Sequence, residues 1–134
     1  MAVRREIVTV CRRLYERGLI AGPDGNVSAR IGTDRLLVTP SGRSKVDVQV
    51  DDLVELALDG RHIRGATRAS SEILLHLRIY QRRPDVQAVV HAHPPTATGF
   101  SVAGESFSTC ALPEMIFQVE NDSPATENPV AVGG

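Results

Sequence analysis

The chain has 134 residues and a formal net charge of −1, which allows one domain with a sizeable hydrophobic core. Because basic and acidic residues are in balance, nothing requires a basic surface, and nucleic acid is not an expected partner. No apolar run approaches the roughly 20 residues that span a bilayer, and charges interrupt the apolar pattern of the N-terminus. Neither a membrane segment nor a signal peptide is therefore predicted.

The N-terminal segment predicts an amphipathic helix. Gly18 stands where a glycine often ends a helix. The apolar residues before it recur at helical spacing: Ile7, Val10, Cys11 and Leu14. Cys11 and Cys110 are isolated in apolar surroundings, so both are expected to be free thiols in a reducing compartment. We therefore expect a cytoplasmic protein.

Short apolar segments then predict two β-hairpins. "NVSARI" and "RLLVTP" form the first hairpin, which turns at Gly32-Thr33-Asp34. "LVELAL" and "HIRG" form the second around Asp59-Gly60, a dipeptide typical of tight turns. With the first helix, this gives a mixed α/β pattern.

A second helix and a further strand follow the hairpins. "SSEILLHLRIYQRR" predicts a helix that must stop before Pro84. Ser70 or Ser71 is its expected N-cap, with Glu72 in the first turn. The apolar, β-branched segment 86–91 predicts a buried strand.

Two of the four histidines stand at the end of that strand, in "VVHAHPP". Residues two apart on a strand point to the same face, so His91 and His93 would direct both imidazoles into one space. Imidazole is a common zinc ligand, which makes a metal site one interpretation; a hydrogen-bonded pair without a metal is the other. Beyond the pair, "PPTATGFSVAG" predicts a helix with Pro95 near its first position and Gly104 past its end.

Three segments are candidates for binding an anion. A helix N-terminus with two hydroxyl groups is such a site, and "ASSE" offers Ser70 and Ser71 there. Glu72 in the same segment could complete a metal's ligands or act as a base; helix capping alone is the alternative. The loops "GPDGN" and "TPSG" are the other two candidate anion sites, because their glycines let backbone amides approach an anion closely. The alternative is that both are ordinary turns.

Four motifs in this order, "GNVSAR", "TPSG", "SSE" and "AVVHAHPPTATGFSVAG", resemble the class II aldolase/adducin family over roughly residues 6–117. The resemblance implies an α/β fold of three layers, α/β/α, with a central, mostly antiparallel sheet, of which this chain would carry part. It implies a class II aldolase-like domain over 1–117, followed by a tail, 118–134, that has little to bury and would be irregular. It also implies a homotetramer and a divalent metal, usually Zn²⁺.

The resemblance also assigns roles to individual residues. His91, His93 and Glu72 would be metal ligands, and Glu72 would also be the catalytic acid/base. Six residues would bind the phosphate of a sugar-phosphate substrate: Gly25, Asn26, Ser41, Gly42, Ser70 and Ser71.

The implied activity is that of a metal-dependent aldolase, a lyase of carbohydrate metabolism. It would cleave a ketose 1-phosphate such as fuculose 1-phosphate to dihydroxyacetone phosphate and an aldehyde through an enediolate, whose charge zinc would spread. A pentulose-phosphate 4-epimerase and a methylthioribulose-phosphate dehydratase are alternatives on the same fold. The third hypothesis is a non-enzymatic protein, either an adducin-like module or an inactive truncated form.

The sequence departs from the family's aldolases at several positions. Their third metal histidine, in a later "HG" motif, has no counterpart here. His62 lies in the second hairpin, too early to match, and for His76 packing or a local hydrogen bond is expected. Pro23 stands where a phosphate-binding threonine belongs, and Leu112 aligns with a tyrosine that donates a proton. We therefore expect weak, reversible metal binding by a chain that represents part of a longer enzyme.

Overall fold

Five strands and three α-helices make up the described part of the protein. In the computed structural model of the chain, residues 2–105 are described. The elements follow in chain order: α1 Ala2–Glu16, β1 Asn26–Ile31, β2 Arg35–Val38, β3 Val54–Ala57, β4 His62–Arg64, α2 Ile73–Arg82, β5 Ala88–His91 and α3 Pro95–Ala103. Two short 3-10 turns, Lys45–Asp47 and Val50–Asp52, lie between β2 and β3.

The strands form one antiparallel sheet in the order β4-β3-β2-β1-β5. Both predicted hairpins, β1–β2 and β3–β4, are confirmed. Beyond the hairpins, β1 pairs with β5, and this register places Asn26 directly opposite His91. The strand that begins "NVSARI" therefore lies beside the strand that ends in the histidine pair.

One helix packs on each face of the sheet. Cys11 of α1 packs on one face against Val27 and Ala29 of β1. The core on the opposite face joins α2 to β2, β3 and β5: Leu36, Val38, Val54, Leu56, Leu77, Tyr80 and Val89. Each apolar side chain that is fully buried in this way contributes about 1.5–3 kcal/mol relative to exposure. The predicted three-layer arrangement around an antiparallel sheet is confirmed.

The helix ends agree with the sequence. α1 stops at Glu16, and Gly18 adopts a φ of 66°, a left-handed conformation that glycine adopts without a steric penalty. α3 begins at Pro95, and Gly104 follows it with a φ of 70°. Cys11 is a buried free thiol, as expected, and burial raises its pKa to about 11. Cys110 lies outside the described residues.

The predicted start of α2 was wrong. The helix begins at Ile73 with Glu72 as its N-cap residue, and no side chain caps it. The backbone N–H of Ser70 donates to the Thr39 carbonyl at 3.1 Å, which holds the segment extended beside the end of β2. Ser70 and Ser71 therefore lie in a turn ahead of the helix, where Ser70 Oγ accepts the N–H of Glu72 at 3.4 Å.

The strand predicted over 86–91 is present, but it is shorter and less buried than expected. β5 starts at Ala88, and of its four residues only Val89 is buried, whereas Val90 is 49% exposed. β5 is the last strand of the sheet, and the face that carries Val89 packs on the core under α2. Its residues therefore alternate between core and solvent, as in a sheet covered on one side.

The chain divides into two compact units, Met1–Thr98 and Gly99–Gly134. Every candidate site residue belongs to the first unit. The predicted domain boundary after residue 117 and the position of Leu112 lie outside the described residues. Within residues 2–105, no helix combines the length and apolar character needed to cross a membrane.

Candidate metal centre

Three side chains predicted as metal ligands meet at the open edge of the sheet. Glu72 comes from the N-cap of α2, His91 ends β5 and His93 follows two residues later. One ligand atom from each lies within 4.8 Å of the other two. Glu72 Oε2 is 3.2 Å from His91 Nδ1, and the two imidazole rings are 4.8 Å apart. Two imidazoles and a carboxylate are the donor types that zinc and similar cations bind, so these residues fit a divalent metal.

His93 lies past the end of β5, so strand alternation alone does not explain why its ring reaches the same space. Its backbone N–H donates to the Leu19 carbonyl at 2.8 Å, which ties the segment after β5 to the loop after α1. The pair therefore meets because the chain after His91 is anchored there.

Asn26 orients two of these ligands. It is 1% exposed and lies opposite His91 in the β1–β5 register. Its Nδ2 donates to Glu72 Oε2 at 2.6 Å and is 3.4 Å from His91 Nδ1. Its Oδ1 is buried and has no hydrogen-bond partner among the described residues. A short bond from a buried amide limits the positions that the Glu72 carboxylate can take.

His76 belongs to a separate buried network. Ser28 Oγ lies 2.7 Å from His76 Nδ1 and 2.8 Å from the Tyr80 hydroxyl. His76 was expected to pack or to make a local hydrogen bond; it is buried and hydrogen-bonded, but to a residue 48 positions away in the sequence. Burial, and to a lesser extent the charge of His91, lowers the pKa of His76 to about 4. Its Nε2 is buried with no partner within residues 2–105.

Alternate residues of β1 contact successive turns of α2. Asn26 bonds to the residue before the helix, Ser28 bonds to His76 and Tyr80, and Arg30 donates from its Nη2 to the Tyr80 carbonyl at 2.9 Å. The Arg30 guanidinium also lies over the Tyr80 ring, 4.8 Å from its centre. Three polar side chains on one face of β1 thus fix where α2 lies.

A cavity of about 380 Å³ adjoins the three candidate ligands. Its wall is formed by Pro23, Asp24, Pro40, Ser41, Gly42, Lys45, Ser70, Ser71, Glu72 and His93. Four of the six predicted phosphate contacts are therefore together in this wall: Ser41, Gly42, Ser70 and Ser71. The cavity combines hydroxyl groups, which can hold an anion, with two of the candidate metal ligands.

The other two predicted phosphate contacts, Gly25 and Asn26, lie beside the metal ligands instead. Gly25 has a φ of 68°, and a Cβ there would meet Ile20 Cγ2 at 2.6 Å and the His91 carbonyl oxygen at 2.8 Å. The close approach to the histidine strand requires glycine at this position. A phosphate contact for these two residues stays a prediction.

His62 is an exposed residue of β4, at the opposite edge of the sheet from β5. His62 is therefore not placed to serve as a third histidine beside His91 and His93.

Lys45 is the cavity residue that the sequence did not predict. Its side chain is 2% exposed, and its Nζ donates to the carbonyls of Pro23 at 2.7 Å and Arg43 at 3.0 Å. No periodic pattern or motif in the sequence marks Lys45 as buried; it stands three residues after the end of "TPSG".

Comparison with known proteins decides the family. The sequence matches the family described as the class II aldolase and adducin N-terminal domain over residues 5–130. The chain belongs to the class II aldolase and adducin family. The family that the four motifs predicted is thereby confirmed.

Several enzymes of the class II aldolase family are similar to this chain. L-fuculose phosphate aldolase of Methanocaldococcus jannaschii is 34% identical over 85% of this chain and 61% of its own length. Methylthioribulose-1-phosphate dehydratase of Acidiphilium cryptum is 37% identical over 76% of this chain and 48% of its own length. Among solved structures, an L-fuculose 1-phosphate aldolase superposes with a TM-score of 0.72 at 31% identity, over 78% of this chain and 50% of its own.

The chain thus spans between 48% and 61% of the length of these curated relatives. Relatives in the class II aldolase family are named as aldolases, dehydratases and decarboxylases, all of which are lyases. These relatives share one class of reaction and differ in the individual reaction that they are named for.

Proposed function

We propose that the chain carries the metal-binding and phosphate-binding part of an aldolase that cleaves a ketose 1-phosphate resembling fuculose 1-phosphate. The observation that carries the proposal is the adjacency of Glu72, His91 and His93 to a cavity walled by serine hydroxyls. In a ketose 1-phosphate the carbonyl carbon is next to the carbon that bears the phosphate, so one substrate would occupy both parts at once. The names of the fuculose-phosphate aldolases among the relatives support this substrate class.

The residues have distinct tasks in this proposal. Ser41, Ser70 and Ser71 donate hydroxyl hydrogen bonds to the phosphate, which fixes how far the rest of the substrate reaches. A divalent cation held by the three ligands, Zn²⁺ being our first choice, would act as a Lewis acid on the substrate's carbonyl oxygen. Glu72, held by the Asn26 amide, transfers the proton that carbon gains when the C–C bond has broken.

Metal titration of purified protein by calorimetry at neutral pH tests the ligand set. Wild type is expected to bind zinc, cobalt or manganese reversibly, and mild chelation should release the metal. His91→Ala and His93→Ala should each weaken binding more than about 100-fold, because a zinc site generally needs at least three protein ligands. His62→Ala, at the opposite edge of the sheet, is the matched control and should bind like wild type. A wild type that binds no metal contradicts the proposed centre.

The acid/base role is tested separately by Glu72→Gln. This substitution keeps the shape of the side chain and its contact with Asn26 but removes the proton acceptor. Release of dihydroxyacetone phosphate from fuculose 1-phosphate should be abolished, whereas inhibition by inorganic phosphate should change less than about threefold. An equal loss of thermal stability and activity would instead assign Glu72 to the helix end, where a charge is worth only about 0.3–1 kcal/mol.

A methylthioribulose-1-phosphate dehydratase is the second candidate, because relatives with that name reach 41% identity over 72% of this chain. Both reactions need a metal, a base and a phosphate site, so the site geometry alone does not separate them. Product analysis does: the dehydratase yields water and a diketone phosphate from methylthioribulose 1-phosphate, whereas the aldolase yields two fragments. Epimerisation of ribulose 5-phosphate is assayed in parallel. Metal binding without turnover of any substrate would favour a non-enzymatic role.

We further infer that the protein acts in the cytoplasm as a homotetramer. Leu74 and Leu75 on α2 are 71% and 48% exposed, an apolar surface that a neighbouring subunit would cover. Light scattering coupled to gel filtration gives the mass directly, and a monomer at micromolar concentration contradicts the tetramer. Limited proteolysis tests the domain boundary proposed after residue 117.

A further inference from the structure

Lys45 is a buried cation in the cavity wall. Its ammonium group bonds to the Pro23 and Arg43 carbonyls, which lie in the two loops that border the cavity. Its backbone N–H also donates to the Gly22 carbonyl at 3.3 Å, so the residue ties these loops together. It is the only lysine in the sequence; every other member of the 15 lysines and arginines is an arginine.

The hydrogen bonds to carbonyl groups leave part of the ammonium unsatisfied. A lysine ammonium has three N–H donors, and two of them are used here. Within residues 2–105, no carboxylate oxygen lies within 4.0 Å of Nζ, so the charge has no ion-pair partner among the described residues. Removing an ammonium from water costs several kcal/mol, which two neutral acceptors offset only in part. Burial accordingly lowers the pKa of Lys45, against the opposing effects of Cys11, Asp24 and Glu72.

The charge of the cavity wall explains what such a cation could bind. Asp24 and Glu72 are the acidic residues of the wall, and a phosphate placed near them would be repelled. Arg43, the nearest arginine in sequence, directs its guanidinium to Asp52 instead and is not part of the wall. Among the described residues that form this wall, Lys45 is therefore the one lysine or arginine side chain.

The residue type fits this position. A lysine ammonium is a compact point charge whose three donors can be shared between two carbonyls and one further acceptor. The planar fork of an arginine would need more room and a different arrangement of acceptors.

We propose that Lys45 donates its third N–H to the substrate's phosphate group and, with the serine hydroxyls, forms the phosphate-binding site. The assignment rests on the proposed function and adds a positively charged residue to it. Lys45 also keeps the two loops in place, so its contribution to binding must be separated from that structural role.

Calorimetric titration of metal-free protein with inorganic phosphate tests the assignment first. Lys45→Met keeps the length and apolar stem of the side chain, and should weaken phosphate binding about 10- to 100-fold through loss of a charge-assisted hydrogen bond. Arg43→Gln is the matched control, because it removes a positive charge two residues away that pairs with Asp52. Its affinity should stay within about twofold of wild type. Thermal unfolding of each variant shows whether the fold is intact.

The possible outcomes distinguish the existence of the phosphate site from the role of Lys45 in it. If wild type binds no phosphate, the phosphate site of the proposed function is wrong. If wild type binds phosphate and Lys45→Met binds it equally well, the site stands and the role of Lys45 is wrong. An equal loss in Lys45→Met and Arg43→Gln would show a general effect of net charge and would also overturn the assignment.

A measurement on the unmodified chain covers the case in which Lys45→Met does not fold. Because the chain contains one lysine, labelling lysine with ¹³C and ¹⁵N gives a single side-chain signal in NMR spectra. Direct contact with a phosphate anion should shift that signal and raise the pKa that its titration reports. A lysine that only ties the loops together would show no change while phosphate binds, and that result would overturn the proposal.

Discussion

The hydroxyl group of Ser28 is expected to be one of the most stabilising polar atoms in the protein. It is 0% exposed and contacts both His76 Nδ1, at 2.7 Å, and the Tyr80 hydroxyl, at 2.8 Å. Ser28→Ala removes one oxygen atom and leaves two buried polar groups without that partner. The ring of His76 is affected most, because its Nε2 is buried without a partner in the described part of the chain.

The expected loss of stability in Ser28→Ala follows from the number of buried polar groups that lose a hydrogen-bond partner. Each buried donor or acceptor that loses its partner costs about 1–3 kcal/mol, and some relaxation is expected, so we predict a total of about 2–4 kcal/mol. With roughly 4 °C per kcal/mol for a domain of this size, the Tm should fall by about 8–16 °C. Urea denaturation and calorimetry at pH 7.5 measure both quantities.

Two further variants show whether the loss belongs to the network. Thr9→Ala removes an exposed hydroxyl that bonds to the Arg5 carbonyl, and should change stability by less than about 0.5 kcal/mol. Tyr80→Phe removes one of the two partners of Ser28. The double variant Ser28→Ala/Tyr80→Phe should lose less stability than the sum of the two single variants, because both remove the same hydrogen bond. A loss in Ser28→Ala no larger than in Thr9→Ala would refute the reasoning.

The remaining predictions concern pH and backbone geometry. Because the pKa of His76 is about 4 when folded and near 6.5 when unfolded, its contribution to stability is complete above pH 6.5 and is lost as the pH falls towards 4. Denaturation of metal-free protein between pH 7 and 5 should show this decline, and His76→Gln should flatten it; parallel curves for both proteins would contradict the assignment. Gly25→Ala should destabilise the fold and weaken metal binding, since a Cβ would meet the His91 carbonyl oxygen at 2.8 Å. Gly22→Ala is the control, because Gly22 has a φ of 49° and no atom lies within 4 Å of the added Cβ. It should cost only the left-handed strain of about 1–2 kcal/mol and leave metal affinity unchanged. Equal metal affinities in Gly25→Ala and Gly22→Ala would exclude the close contact as the cause.

The sequence was sufficient for the features that depend on local pattern. The two hairpins follow from alternating segments and turn dipeptides, and the first helix follows from an apolar stripe closed by Gly18. The three candidate metal ligands were chosen by motif, and the fold brings them together. Local patterns succeed here because each element's preference agrees with its place in the fold.

The features that the sequence did not predict all depend on contacts between distant segments. α2 starts late because Ser70 is bonded to Thr39, more than thirty residues earlier. Lys45 is buried because carbonyls in two loops surround it, and Asn26 bonds to Glu72 only because the sheet and α2 meet there. None of these arrangements leaves a period or a motif in the chain.

The contacts between β1 and α2 restrict where the chain can vary in length. Two residues of a strand advance about 6.7 Å and four residues of a helix about 6.0 Å, so the two series of contacts stay in step over their length. A one-residue insertion between Glu72 and His76 would break this correspondence and rotate Glu72 by about 100° away from His91. An insertion in the exposed turn at Asp59-Gly60 would displace neither residue. Among natural variants of this chain, differences in length should therefore accumulate in that turn and be absent from the first turn of α2.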